Sequence, residues 1–142
     1  MQGGIAFEFS QRKPDGGTFD WDNRAIFVLD LPEVGEFAVD QADPVSMCAV
    51  LASGQLHHLP SQLKFVHNVS RSDGTNMTKT FKVSPNSDDG TVEVNLKYAS
   101  SDGSDTREMN VSMTEGNFHV IKTLMFAAIP SLSGWAMVLD PS

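Results

Sequence analysis

Between Leu63 and Met113, four segments alternate apolar and polar residues with a period of two, and turn-forming sequences separate them. The segments are Leu63–Asn68, Thr78–Ser84, Thr91–Tyr98 and Thr106–Met113. Their connections are Arg71-Ser72-Asp73-Gly74, Ser87-Asp88-Asp89-Gly90 and Ser101-Asp102-Gly103-Ser104, in which Asp folds back on the backbone and Gly permits positive φ. A period of two cannot be satisfied on a helix, so the stretch predicts a four-stranded antiparallel meander with one buried face. The face to be buried carries Leu63, Phe65, Phe81, Val83, Val92, Val94, Leu96, Tyr98, Met109, Val111 and Met113. The other carries Lys64, Asn68, Thr80, Lys82, Glu93, Asn95, Lys97, Glu108, Asn110 and Ser112.

The flanks supply elements to cover that apolar face. Gly4–Phe9 alternates as a strand, Lys13-Pro14-Asp15-Gly16-Gly17 is a turn by composition, and Phe19–Leu29 reads as a second strand, giving a hairpin. Asp30 and Glu33 then form a capping box, with Pro32 tolerated in the first helical turn, and Val34, Phe37 and Ala38 give the short helix an inward side. From Gln41 to Gln62, Pro44, Gly54 and Pro60 interrupt the pattern, which predicts a loop with one short helical turn about Val45–Leu51. Thr114 caps a final helix to about Met137, where Phe118, Ile121, Met125, Ala128, Leu132 and Trp135 recur at spacings of three and four. Pro130 is expected to kink or break it into two helices at an angle.

The chain's 142 residues suit one domain with a real core. No stretch approaches the run of about 18 apolar residues that spans a bilayer, so no membrane insertion is expected. Met1-Gln2-Gly3-Gly4 resembles neither a signal peptide nor a transit peptide. Cys48 is the sole cysteine, which excludes an internal disulfide, and the sequons at Asn68, Asn76 and Asn110 would matter only in a secreted chain. His57-His58, adjacent and without a carboxylate cluster, do not make a metal site, and His67 suits a hydrogen bond better than catalysis. No Gly-rich phosphate loop and no nucleophile elbow is present, so neither an enzyme nor a cofactor is expected. The formal charge of −8 opposes phosphate binding unless the cations cluster on one face.

Two segments resemble the Whirly family. Phe19-Asp20-Trp21-Asp22-Asn23-Arg24-Ala25-Ile26-Phe27-Val28-Leu29, followed by Glu33-Val34-Gly35, is similar to its Tyr-Asp-Trp, basic residue, Phe-containing strand and Glu-Ile/Val-Gly pattern. Thr114, Phe118, Val120, Pro130, Leu132, Gly134 and Trp135 follow the family's closing helices. Between them Phe65-Val66-His67-Asn68 resembles its Phe-Phe-His-Asp, and Ser72-Asp73-Gly74, Lys79, Lys82-Val83 and Asp89-Gly90 fall where its sheet does. The acidic, loop-extended character is closer to the kinetoplastid mitochondrial RNA-binding proteins than to plant Whirlies. The resemblance implies an α+β fold of two antiparallel sheets packed nearly perpendicular, with helices joining protomers into a homo- or heterotetramer. Because the pattern starts at the family's third strand, the first sheet is expected to be incomplete. The expected organisation is one domain over 1–142: truncated first sheet and helix 1–40, extended loop 41–62, meander 63–113 and kinked helices 114–138.

The resemblance also implies binding of single-stranded DNA or RNA with little sequence preference, in a mitochondrion or, alternatively, a plastid. The candidate contacts are Lys64, Lys82 and Lys97 on the outward face, Arg71 and Lys79 near strand ends, and Trp21 as a stacking group. Phe118, Ile121, Met125, Leu132 and Trp135 are expected to serve both core and oligomer interface. The alternative is a Whirly-derived scaffold in a larger organellar assembly, such as a mitochondrial ribosome or membrane complex, that has lost nucleic-acid binding.

Overall fold

The computed structural model describes residues 3–38, 62–86 and 88–133. A two-stranded antiparallel sheet comes first: β1, Ile5–Phe9, pairs with β2, Ala25–Leu29, with Phe7 opposite Phe27. The second strand is shorter than its apolar pattern predicts. Phe19 makes only an isolated bridge with Arg12, and Trp21–Asn23 closes a single 3-10 turn. The Asn23 side-chain amide donates to the Asp20 carboxylate across this turn at 2.8 Å.

Helix α1, Leu31–Ala38, starts on the expected capping box. The Glu33 N–H donates to Asp30 Oδ1 and the Asp30 N–H donates to Glu33 Oε2, each at 3.0 Å. The meander follows in the expected order as β3 (Leu63–Ser70), β4 (Asn76–Asn86), β5 (Thr91–Ser100) and β6 (Thr106–Thr114). Its register aligns Phe65, Phe81, Leu96 and Met109 across all four strands. Gly74 at φ 87° and Gly103 at φ 75° occupy the left-handed positions that the hairpin turns require. Thr114 caps α2, Glu115–Ser133, its hydroxyl accepting the Asn117 N–H at 3.2 Å.

One core joins these pieces. Phe81 lies at its centre, with ring centroids 4.9 Å from Phe7, 5.2 Å from Phe27 and 6.3 Å from Phe37. Phe37 in turn meets Phe118 at 5.4 Å, which seats α2 on α1. Of the inward set, Val111 stays 44% exposed, contrary to expectation. It has the right parity, opposite Val94, but β6 is an edge strand and no described element covers its end there. The break expected at Pro130 is also absent: α2 runs through it to Ser133. A proline deletes one donor of the ladder, and the helix carries that loss at Pro130 without ending there. The Gly3 N–H donates to the Leu132 carbonyl at 3.1 Å, tying that end of the helix to the approach of β1. The loop 41–61, with Cys48, His57 and His58, and the expected second helical piece beyond 133 lie outside the described residues.

Candidate nucleic-acid interface

The two faces of the meander divide the charge. Alternation sends Lys64 from β3, Lys82 from β4 and Lys97 from β5 to the outer face, with Lys64 directly opposite Lys82 and Lys82 opposite Asn95. Together with Thr80, Ser84, Glu93, Asn95, Glu108 and Asn110 they line a shallow depression of about 430 Å³. Among the described residues these lysines form no ion pair. Glu93 and Glu108 are the acids in the depression, and Glu108 accepts the Asn95 amide at 3.0 Å. No aromatic side chain lines it, because every aromatic of the sheet has the inward parity.

Much of the acidity sits at the hairpin tips. Asp73, Asp89 and Asp102 each accept both the hydroxyl and the backbone N–H of a residue two positions on, namely Thr75, Thr91 and Ser104. The hydroxyl bond first, and the N–H bond after it, hold these carboxyls below their ordinary value of 3.8, Asp102 to about 2. These three carboxylates thereby fix negative charge at the rims of the sheet, while Glu93 and Glu108 carry theirs in its middle.

The inner face ends in a different arrangement. The Tyr98 hydroxyl accepts the Ile26 N–H at 2.6 Å and donates to the Ile26 carbonyl at 2.7 Å, which bolts β5 to β2. The Lys79 ammonium and the Arg107 guanidinium each stand 4.8 Å from the Tyr98 ring centroid. Arg107 also donates to the Asn23 carbonyl at 2.9 Å and pairs with Asp105 at 2.8 Å, while Arg71 reaches Asp105 at 2.9 Å. Beside this bolt His67 stacks on Phe27 at 4.3 Å and hydrogen-bonds Glu33 Oε1 at 2.7 Å, so the capping box is tied to β3.

The model of the family described as Whirly transcription factor matches residues 2–124. The chain belongs to the Whirly family. Its fold is similar to that of the plant transcriptional regulator PBF-2, with a TM-score of 0.74 at 19% identity over 99% of this chain and 68% of that one. WHY3 from Arabidopsis thaliana gives 0.76 at 18% identity, covering 98% of this chain and 73% of that chain. WHY1 from Arabidopsis thaliana gives 0.66 at 15% identity, covering 99% and 90%. No curated protein sequence matches.

Within this Whirly fold the candidate contacts separate. Lys64, Lys82 and Lys97 come together as expected on one face. Lys79 does not join them: opposite Tyr98 in the register, it projects inward and donates to the Ile26 carbonyl at 3.3 Å. Arg71 is likewise engaged by Asp105. Trp21 is 52% exposed on its 3-10 turn, with Phe19 beside it at 6.4 Å and Arg12 5.6 Å from the Phe19 ring. Phe19 and Arg107 were not among the candidates. Phe19 sits where a strand pattern assigns it to the ladder, and nothing local in Thr106-Arg107-Glu108 announces a partner on a distant turn.

For the helix stripe, Phe118 and Met125 are buried in the chain's own core, and Ile121 and Leu132 are partly buried against it. Trp135 lies outside the described residues. The outward apolar residues of α2 are Val120, Leu124 and Phe126, the last two 65% and 62% exposed. Among the described residues no helix is long and apolar enough to cross a membrane, and no group of His, Cys, Asp or Glu is placed to hold a metal.

Proposed function

We propose that this Whirly protein binds single-stranded nucleic acid, DNA or RNA, across the outer face of the β3–β6 sheet and catalyses no reaction. The observation that carries this reading is the gathering of Lys64, Lys82 and Lys97 on one face, free of ion pairs among the described residues, while aspartates of this acidic chain sit at the hairpin tips. Phosphate binding depends on local cation density, so a net charge of −8 does not prevent it when the middle of the sheet carries lysines. The shallow depression suits a flexible strand better than a compact ligand.

The protein works as an oligomer built through the outward side of α2. Val120 and Leu124, four residues apart, expose an apolar pair on that side, and Phe126 exposes a further apolar ring on its other flank. A monomeric mass by light scattering would remove this part of the reading. The organellar setting, a mitochondrion with a plastid as the alternative, rests on the family resemblance. A scaffold without nucleic-acid binding is the competing reading, favoured by that same exposed helix face.

Fluorescence anisotropy of a labelled single strand across a salt series separates the two. Engagement of the lysines predicts log Kd rising with log salt at a slope of about 2, at roughly 0.7 per phosphate on a single strand. Replacing Lys64, Lys82 and Lys97 together by Ala should abolish most of that slope. No binding by the assembled protein at low salt would leave the scaffold.

A further inference from the structure

Strand β6 is an edge of the meander, and no described strand pairs with its outer side. An open edge is a row of unpaired N–H and C=O groups, and folded chains commonly blunt one with proline, lysine or a bulge. Strand β6 carries none of these: Arg107 and Glu108 are its charged residues, and its register with β5 runs from Thr106 to Thr114 without a slip. Val111 adds an apolar side chain, 44% exposed, on the inner side of that edge. We infer that the edge pairs with the β6 edge of a second copy, antiparallel about a two-fold axis at Val111, so that two meanders form one continuous sheet.

The backbone phase fixes which groups are on offer. The Ser100 N–H donates to the Asp105 carbonyl at 3.1 Å, which sets the phase of the β5–β6 ladder. Arg107, Met109, Val111 and Met113 follow Asp105 at every second position and share its direction toward β5. Thr106, Glu108, Asn110, Ser112 and Thr114 therefore turn their backbone groups outward. Centring on Val111 lets Asn110 exchange hydrogen bonds with Ser112 of the second copy, and Ser112 with its Asn110, while Glu108 faces its Thr114. The strand is thus its own complement, as a two-fold contact requires. The two Val111 side chains meet in a non-bonded pair, where Cα atoms lie about 4.5 Å apart and side chains are closest. No like charges face each other, since Glu108 stands opposite a threonine. Registers centred nearer the start of β6 carry the second copy over Thr106 and Arg107, where Arg107 holds the Asn23 carbonyl at 2.9 Å and the loop before β2 stands alongside. Registers centred beyond Val111 shorten the ladder.

The pairing also bears on the outer face. A two-fold axis perpendicular to the sheet keeps both outer faces on the same side. Glu108 and Asn110, which line the outer depression, lie at the seam, so the depressions of the two copies adjoin across it. On the single-strand reading above, a long strand then runs from the lysines of one copy to those of the other. The contact itself does not depend on that reading, and it is separate from the α2 contact through Val120 and Leu124.

The test is the mass, by light scattering, of the wild type and of Ser112→Pro. Ser112 is exposed and its N–H points outward, so proline costs no bond to β5 and the protomer keeps its fold. The symmetric contact loses a hydrogen bond from each copy, which should weaken it about tenfold or more and halve the mass in dilute protein, whatever α2 contributes. An unchanged mass overturns the inference; with a lowered urea midpoint beside it, the edge belongs to a segment of the same chain. A second measurement reads the register. Val111→Cys in a Cys48→Ser background should form an intermolecular disulfide under dissolved oxygen. Ser112→Cys in that background should not, because the shift of two residues sets its Cα atoms beyond the roughly 7 Å that a disulfide bridges. No cross-link at Val111→Cys, or equal cross-linking at both positions, overturns the inference. Neither measurement contains nucleic acid, so a paired edge on a protein that binds no single strand sinks the single-strand reading alone.

Discussion

Lys79 and Lys82 are carried by the same strand, yet the sheet lies between them. Lys79 has the parity of Phe81 and Val83, and its ammonium ends over the Tyr98 ring, bonded to the Ile26 carbonyl. Lys82 has the opposite parity and ends in the outer depression beside Lys64, with no ion pair among the described residues. Identical chemistry thus takes on two roles. On the inner face a cation is used up in joining two sheets, and on the outer face it stays available to a phosphate. What separates them is the pleat: an odd step along a strand reverses the face. The same division runs through most of the sheet: its inner side packs the apolar core, and its outer depression is lined by hydroxyl, amide and charged groups.

The strongest way to break the inner side is at Phe81, fully buried and in ring contact with Phe7, Phe27 and Phe37 from three other elements. Phe81→Ala should cost about 3–5 kcal/mol, as truncation of a buried phenylalanine does, and urea unfolding would register it as a lowered midpoint. A loss below about 1 kcal/mol, the ordinary scale of a point mutation, would mean that the two sheets do not share this core.

A sharper test sets the two lysines against each other. Lys79→Met should lose about 1 kcal/mol of stability, the worth of a partly desolvated cation–π contact, and leave affinity for a single strand unchanged. Lys82→Met should leave the unfolding midpoint in place, weaken binding roughly two- to fivefold and reduce the salt slope by about 0.7. If both variants lowered affinity equally, the strand would not be confined to the outer face.

How much of this was legible in the sequence depended on the range of the interaction. The meander, its register parity and the capping box of Asp30 and Glu33 rest on neighbours in the chain, and they stand in the structure as expected. The outer lysines followed from parity alone. Lys79 lies near a strand end, where a contact is expected, yet it alternates in step with Phe81, and the structure turns it to the inner face. The distant partners of Arg71 and Arg107 were not legible. Asp105 is 34 positions from Arg71, and Asn23 is 84 from Arg107, so only the folded sheets bring them together. Val111 failed for a related reason: its parity says which way it points, but not whether anything covers the edge strand.

The smallest expected effect is at the rim, where Asp102 closes the turn between β5 and β6. Its carboxyl accepts the Ser104 hydroxyl at 2.7 Å and the Ser104 N–H at 3.0 Å, and those bonds hold it at about 2 against an ordinary 3.8. A depressed carboxyl pKa means that the folded state binds this proton more weakly than the unfolded chain. The stabilisation is therefore fully present above pH 3.8 and is lost as pH falls through about 2. Asp102→Asn keeps a carbonyl acceptor for both bonds and cannot titrate. Between pH 5 and pH 2 the wild type should lose slightly more stability than the variant, read as a small convergence of their urea midpoints, with Asp73 and Asp89 titrating equally in both. Parallel curves over that range would show that the turn is held by its backbone and Gly103 alone, leaving the negative charge at the rim without a structural role.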